Sequence, residues 1–279
     1  MKKFPYLHLI LFVLTFLSMV VAGALFQKGV DIFREPWRMI EGVPFALTLM
    51  VILLSHEFSH YFSSRRHHTK ATLPYFIPAP SLIGTFGAFI KMKSPIMTRK
   101  ALIDIGASGP IAGFLLSVIA AVVGLHHSRV VPVTETAGGL RLGDSLLFAL
   151  LTRITVGTPP DSFDILLHPT AFAGWIGLFV TSLNLLPIGQ LDGGHIAYAF
   201  LRERHRVLSI ALVVTLLVLG LFFWEMWAVW GVLMLILGLR HPPVIYWEVP
   251  LDGKRRFVGV LALVIFIITF MPSPFTILD

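Results

Sequence analysis

Apolar runs of bilayer length recur along almost the whole chain, each followed by a shorter polar segment. They stand at residues 7–25, 43–62, 101–125, 171–200, 207–223, 224–239 and 257–271. A helical span needs about 20 apolar residues. In hydrocarbon each backbone N–H and C=O must also find its partner within the protein, which favours helices. With 56% hydrophobic and 13% charged residues among 279, the sequence reads as an all-α polytopic membrane protein with about six or seven transmembrane helices.

The net charge of +7 raises nucleic acid as a partner, but its distribution argues for a lipid bilayer and no nucleic acid. Between Tyr61 and Lys100 stand Arg65, Arg66, Lys70, Lys91, Lys93, Arg99 and Lys100 without one acid, which predicts a cytoplasmic segment. Residues 27–42 and 126–170 are nearly balanced and fall outside, so the N-terminus lies in and the C-terminus out. This alternation makes 7–25 a retained helix and not a signal peptide, although Val21-Ala22-Gly23-Ala24 approaches a cleavage site. Cysteine is absent, so metal chemistry must rest on His, Asp and Glu.

Residues 73–90 carry no charge, yet Pro74, Pro78 and Pro80 with Gly84 and Gly87 oppose a spanning helix, and basic residues flank both ends. They predict a re-entrant, β-like segment between the second and third helices, with a short strand at 85–93. A plain hydrophobic loop at the interface is the competing reading. Outside, Asp144 and Ser145 stand where they would cap an apolar helix from Leu146 to Thr155. The stretch 126–170 is too short for an appended domain.

Within the second run, His56, Glu57 and His60 form HEFSH. The i, i+4 spacing sets both imidazoles on one helix face, where they can bind one Zn²⁺, with Glu57 as candidate general base. A catalytic zinc site takes a third protein ligand. Asp192, in the stretch Asn184-Leu185-Leu186-Pro187-Ile188-Gly189-Gln190-Leu191-Asp192-Gly193-Gly194-His195, is the candidate, since Pro187 and the glycines should break the helix around it. An interfacial ion pair for Asp192, and His195 as the ligand instead, are the alternatives. His67 and His68 read as solvated. Asp104 reads as opening a helix whose Gly106, Ala107, Ser108, Gly109 and Gly113 favour close packing.

Together these motifs resemble the site-2 protease family of intramembrane zinc metalloproteases (M50-like), in which HExxH on one helix pairs with N-x-x-P-x-x-x-x-D-G on another. Here the second motif is Asn184, Pro187, Asp192 and Gly193. The stretches LPYFIPAP, GTFGAFIKMKSP and Asp104–Pro110 look like bacterial and plastid members without PDZ or CBS domains. The resemblance covers roughly residues 43–200, a catalytic core; residues 201–279 would be accessory helices within one membrane domain. It implies a metalloendopeptidase that cuts transmembrane protein substrates, with one zinc per chain held by His56, His60 and Asp192. Glu57 would be the base. Asn184 would stand near the reacting carbonyl, or instead satisfy backbone freed by Pro187. An unwound substrate would pair with a strand edge at Gly84, Thr85, Phe86, Gly87, Ala88 and Phe89 by β-augmentation. A bacterial inner membrane, with the site toward the cytoplasm, is the expected location.

Two rival classes are a membrane di-iron desaturase or hydroxylase and a transporter with broken helices. The first needs clustered histidine boxes, whereas His195, His205 and His241 stand singly. The second usually carries internal repeats, and none is visible.

Overall fold

The computed structural model describes residues 5–27, 29–135 and 140–277. Helix α1 (Tyr6–Ala22) passes through a π-helical turn, and a 3₁₀ turn at Pro36–Gly42 leads into α2 (Val43–Arg66). Strands β1 (Tyr75–Pro78) and β2 (Thr85–Phe89) form an antiparallel hairpin ahead of α3 (Arg99–His126). Then come β3 (Arg129–Pro132), β4 (Leu140–Leu142), α4 (Leu146–Thr155) and β5 (Phe163–Leu166). Helices α5 (Pro169–Asn184), α6 (Asp192–Leu201), α7 (Arg204–Phe222), α8 (Met226–Leu237) and α9 (Gly253–Thr269) follow, and β6 (Phe275–Ile277) closes the order.

Among the described residues, four stretches are long and apolar enough to cross a membrane by length and composition: Tyr6–Leu25, Pro36–Arg66, Arg99–His126 and Arg204–Phe222. The fourth apolar run is two helices, α5 and α6, parted at residues 185–191. Pro187 lacks the N–H that would continue α5, and Gly189 turns the chain at φ +54°. The last two runs correspond to the 12-residue α8 and the 17-residue α9.

Helix α3 packs against α2, α5, α6 and α9. Small residues set its approach to α5: a Cβ on Gly124 would meet the backbone of Ala171 at 2.0 Å, so side chains there would force the helices apart. Helix α5 is buried along nearly its whole length, with Trp175, Ile176 and Leu178 fully enclosed. By contrast α1 turns Leu7, Ile10, Leu14 and Leu17 outward, as a face toward acyl chains would.

The hairpin lies along α1. His8 Nδ1 donates to the Pro74 carbonyl at 3.0 Å, and Ser18 Oγ donates to that of Ala79 at 3.0 Å. Gly84, at φ +77°, abuts the backbone of Ser18 and Met19 so closely that a Cβ would stand 2.6 Å from it.

Several expectations need correction. Besides the hairpin, β3 pairs with β5 and β4 with β6, pairings that the all-α reading omitted because each strand has only three or four residues. Helix α3 opens at Arg99, one turn before Asp104, with Thr98 Oγ1 accepting from the Ala101 amide. Asp104 therefore does not cap it. His67 is not simply solvated: its Nε2 stands 2.9 Å from Asp104 Oδ2. Helix α4 is capped by Ser145, whose Oγ accepts from the Phe148 amide at 3.1 Å.

Candidate active site

His56 and His60 occupy adjacent turns on one face of α2, and both are buried, as is Glu57 between them. Asp192 is the first residue of α6, immediately after the break in the chain. Its neighbours Gly193 and Gly194 pack under the loop that precedes them; a Cβ on Gly193 would stand 2.0 Å from the Leu185 carbonyl oxygen. The Asp-Gly-Gly order thus lets the loop fold back onto α6 while its first carboxylate faces α2.

Three donor atoms converge. His56 Nε2 and His60 Nε2 are 3.1 Å apart, and Asp192 Oδ2 lies 3.2 Å from His60 Nε2 and 3.3 Å from His56 Nε2. Ligands about 2.0–2.1 Å from a tetrahedral zinc are separated by about 3.3 Å, so the triangle has the size that zinc requires. The His60 tautomer agrees: its Nδ1 donates to the Ile105 carbonyl at 2.7 Å, leaving a lone pair on Nε2. With Nε2 unprotonated, that lone pair and the Asp192 carboxylate oxygen are both acceptors turned toward one point, an arrangement that a cation between them would satisfy. Among the described residues these three form the only group of this kind.

Helix α3 closes one side of the site with glycine. A Cβ on Gly109 would stand 2.1 Å from His60 Nε2, and one on Gly113 would stand 3.2 Å from His56 Nδ1. The Ile105 carbonyl that orients His60 belongs to the same helix. Sequence reasoning assigned this glycine run to helix packing alone; its short spacing within an apolar helix was the available signal.

Asn184 ends α5 with Nδ2 3.4 Å from His56 Nε2, so it borders the donor triangle. His195 points elsewhere: its Nδ1 lies 2.6 Å from His241 Nε2, and the His241 ring stacks on Tyr198 at 4.2 Å. Since His241 Nδ1 donates to the Pro242 carbonyl, His241 Nε2 must accept from His195. Burial, then the neighbouring His195, pushes the His241 pKa down to about 3. Neither histidine was paired in the sequence reading, because 46 residues separate them.

Of the hairpin residues, Thr85 is buried and its Oγ1 is engaged, donating to the Ile77 carbonyl and accepting from the Gly87 amide. Gly87 has φ +95° with open space where a Cβ would be. Phe86 is 75% exposed, Phe89 is exposed too, and Ala88 pairs with Phe76. Beyond β1, β2 has no strand partner among the described residues. Just past β2, the Ile90 amide faces the Glu57 carboxylate.

Residues 44–224 match the model of peptidase family M50. The chain belongs to that family. M50 membership joins the buried donor triangle to four bilayer-length helices among the described residues, and the chain is a membrane protein. Similar proteins include the probable zinc metalloprotease EGY1, chloroplastic, of Arabidopsis thaliana, 32% identical over 82% of this chain and 43% of its own length. EGY2 of the same plant is 29% identical over 84% and 42%. EGY1 of Oryza sativa subsp. japonica is 37% identical over 54% and 27%. The chain thus spans less than half the length of these relatives. No solved structure matches it.

Proposed function

We propose that this M50 chain is an intramembrane zinc metalloprotease that hydrolyses peptide bonds within or near the transmembrane segments of membrane proteins. The observation that carries this reading is the triangle of His56, His60 and Asp192 with Glu57 buried beside it. Bound zinc would supply Lewis acidity, bringing water toward a neutral pKa and polarising the scissile carbonyl. Glu57 takes the proton of the attacking water and returns it to the leaving amine. The Asn184 amide, at the rim of the triangle, donates to the carbonyl oxygen as its charge develops.

The substrate enters extended. A helical segment hides its carbonyls in its own hydrogen bonds, whereas the outer edge of β2 offers backbone partners that lead toward Glu57. Gly87 and the exposed Phe86 and Phe89 suit that role, and Gly84, Thr85 and Ala88 hold the hairpin in shape. The hairpin is re-entrant, entering and leaving on the basic, cytoplasmic side. Helix α5, with 16 residues, is about 24 Å long and ends short of a hydrocarbon core of about 30 Å. Asn184 therefore lies at bilayer depth, with α6 completing the crossing, and the full count is six or seven spans. Residues 43–200 form the catalytic core and 201–279 the accessory helices of one domain.

The experiment is reconstitution of the purified full chain with a single-span membrane protein, with zinc measured in parallel. One zinc per chain and cleavage within the span, both lost on chelation and both restored by added zinc, are expected. Cleavage that persists without metal would overturn the reading.

A further inference from the structure

A cavity of about 460 Å³ opens between the C-terminal end of α2, the start of α3 and the first turn of α9. Its lining combines two chemistries: the basic Arg66, His67, Lys254 and Arg255, and the apolar Phe62, Ile111 and Val258. Arg255 and His67 are committed to Asp104, at 2.6 and 2.9 Å. Arg66 and Lys254 are exposed and form no ion pair among the described residues. The cavity thus presents two uncompensated cations beside apolar side chains.

We propose that this cavity binds one anionic phospholipid, its phosphate between Arg66 and Lys254 and an acyl chain along Phe62, Ile111 and Val258. The proposal rests on the reading that α2 and α3 cross the bilayer with their basic ends at one surface. Basic pockets between helices at that level suit anionic headgroups. The apolar side chains separate this occupant from a soluble anion, which would leave Phe62, 63% exposed, uncovered. A second basic pocket of about 340 Å³ makes the contrast: it holds Arg202, Arg206 and Arg240 but is walled by Tyr198, His205 and His241, with no aliphatic side chain. Ser59, one residue before His60, also borders the proposed site. An occupant therefore touches the turn of α2 that carries the second histidine, and lipid composition becomes an input to the geometry of the centre.

The full chain, purified in detergent and offered equal phosphatidylglycerol and phosphatidylcholine, should retain one phosphatidylglycerol per chain with a preference of roughly 30-fold, as two basic side chains provide. Arg66→Gln with Lys254→Gln should abolish the preference with zinc content unchanged, whereas Arg202→Gln with Arg206→Gln should keep it. Val258→Trp, which fills the space beside the apolar side chains and leaves both charges, should also abolish it; if the neutralised double variant loses zinc, this variant carries the test. Wild-type preference in the variant that carries the test would overturn the proposal, as would equal loss in the Arg202 and Arg206 control. Displacement of the lipid by glycerol phosphate would mark a soluble-anion site, and displacement by an acidic peptide a substrate-docking site; either result overturns the lipid assignment. Zinc content is read separately throughout, so failure of the lipid site and failure of the protease reading give different results.

Discussion

Glu57 and Gly109 meet the same centre from two helices and should fail in different ways. Glu57→Gln keeps the shape and volume of the side chain but cannot accept a proton. Zinc should stay stoichiometric while cleavage falls by about 10²–10⁴-fold; measured turnover close to wild type would remove Glu57 from its role. Gly109→Ala should do the opposite. Its methyl group would lie 2.1 Å from His60 Nε2, so either the imidazole leaves the triangle or α3 moves off α2. Bound zinc should drop well below one per chain, and activity with it; full occupancy would show that α3 can yield. The contrast also explains what was legible at this scale. His56, Glu57, His60 and Asp192 were readable because their chemistry is rare in an apolar setting and their spacing follows helix geometry. Gly109 was not, because a glycine in an apolar helix announces close packing without saying what approaches it.

Among the elements, the hairpin and the segment around His241 carry separable expectations. A proline at any of Phe86, Gly87, Ala88, Phe89 or Ile90 removes a backbone donor and fixes φ. Zinc should remain, since none of these residues is in the donor triangle, while cleavage of extended and helical substrates alike should fall at least tenfold at the positions whose amides face outward. Normal cleavage across the whole scan would remove β2 as a docking edge. His241 supplies a pH dependence. Its pKa lies at about 3, below the ordinary histidine value of about 6.5, so the folded state holds it neutral where an unfolded chain would bind a proton. Its contribution to stability is complete above about pH 6.5 and is lost as the pH falls toward 3. Melting temperature measured from pH 7 to 4 should fall less steeply in His241→Gln than in wild type, and an unchanged slope would place the titration elsewhere. The hairpin was partly legible, through its prolines, glycines and missing charges. The His195–His241 contact was not, because it depends on how the chain after α8 returns over α6.

Across the whole molecule, the helices after residue 201 pack back onto the earlier ones. Helix α9 lies on α3 and α5, and Arg255 at its start reaches Asp104 on α3 across 151 residues. Hydropathy finds such helices, but it cannot tell which of their faces meet. The number of bilayer-length helices among the described residues also differs from the number of apolar runs, because hydropathy averages across the break at Pro187 and Gly189 and because the last two runs form helices of only 12 and 17 residues.

The attachment of the hairpin to α1 links the centre to the thickness of the surrounding membrane. The apolar stretch Tyr6–Leu25 has 20 residues, about 30 Å of helix, and it tilts when the hydrocarbon layer is thinner than that. Because His8, Ser18 and Met19 grip the hairpin at Pro74, Ala79 and Gly84, tilting α1 drags β2 relative to Glu57. Glu57 rides on a different helix. Cleavage measured in a series of phosphatidylcholines of increasing acyl length should therefore pass through a maximum while zinc content stays flat, and a rate independent of chain length would mean that α1 and the hairpin move apart. Acyl length would then tune the proposed cleavage mechanically, with no ligand bound.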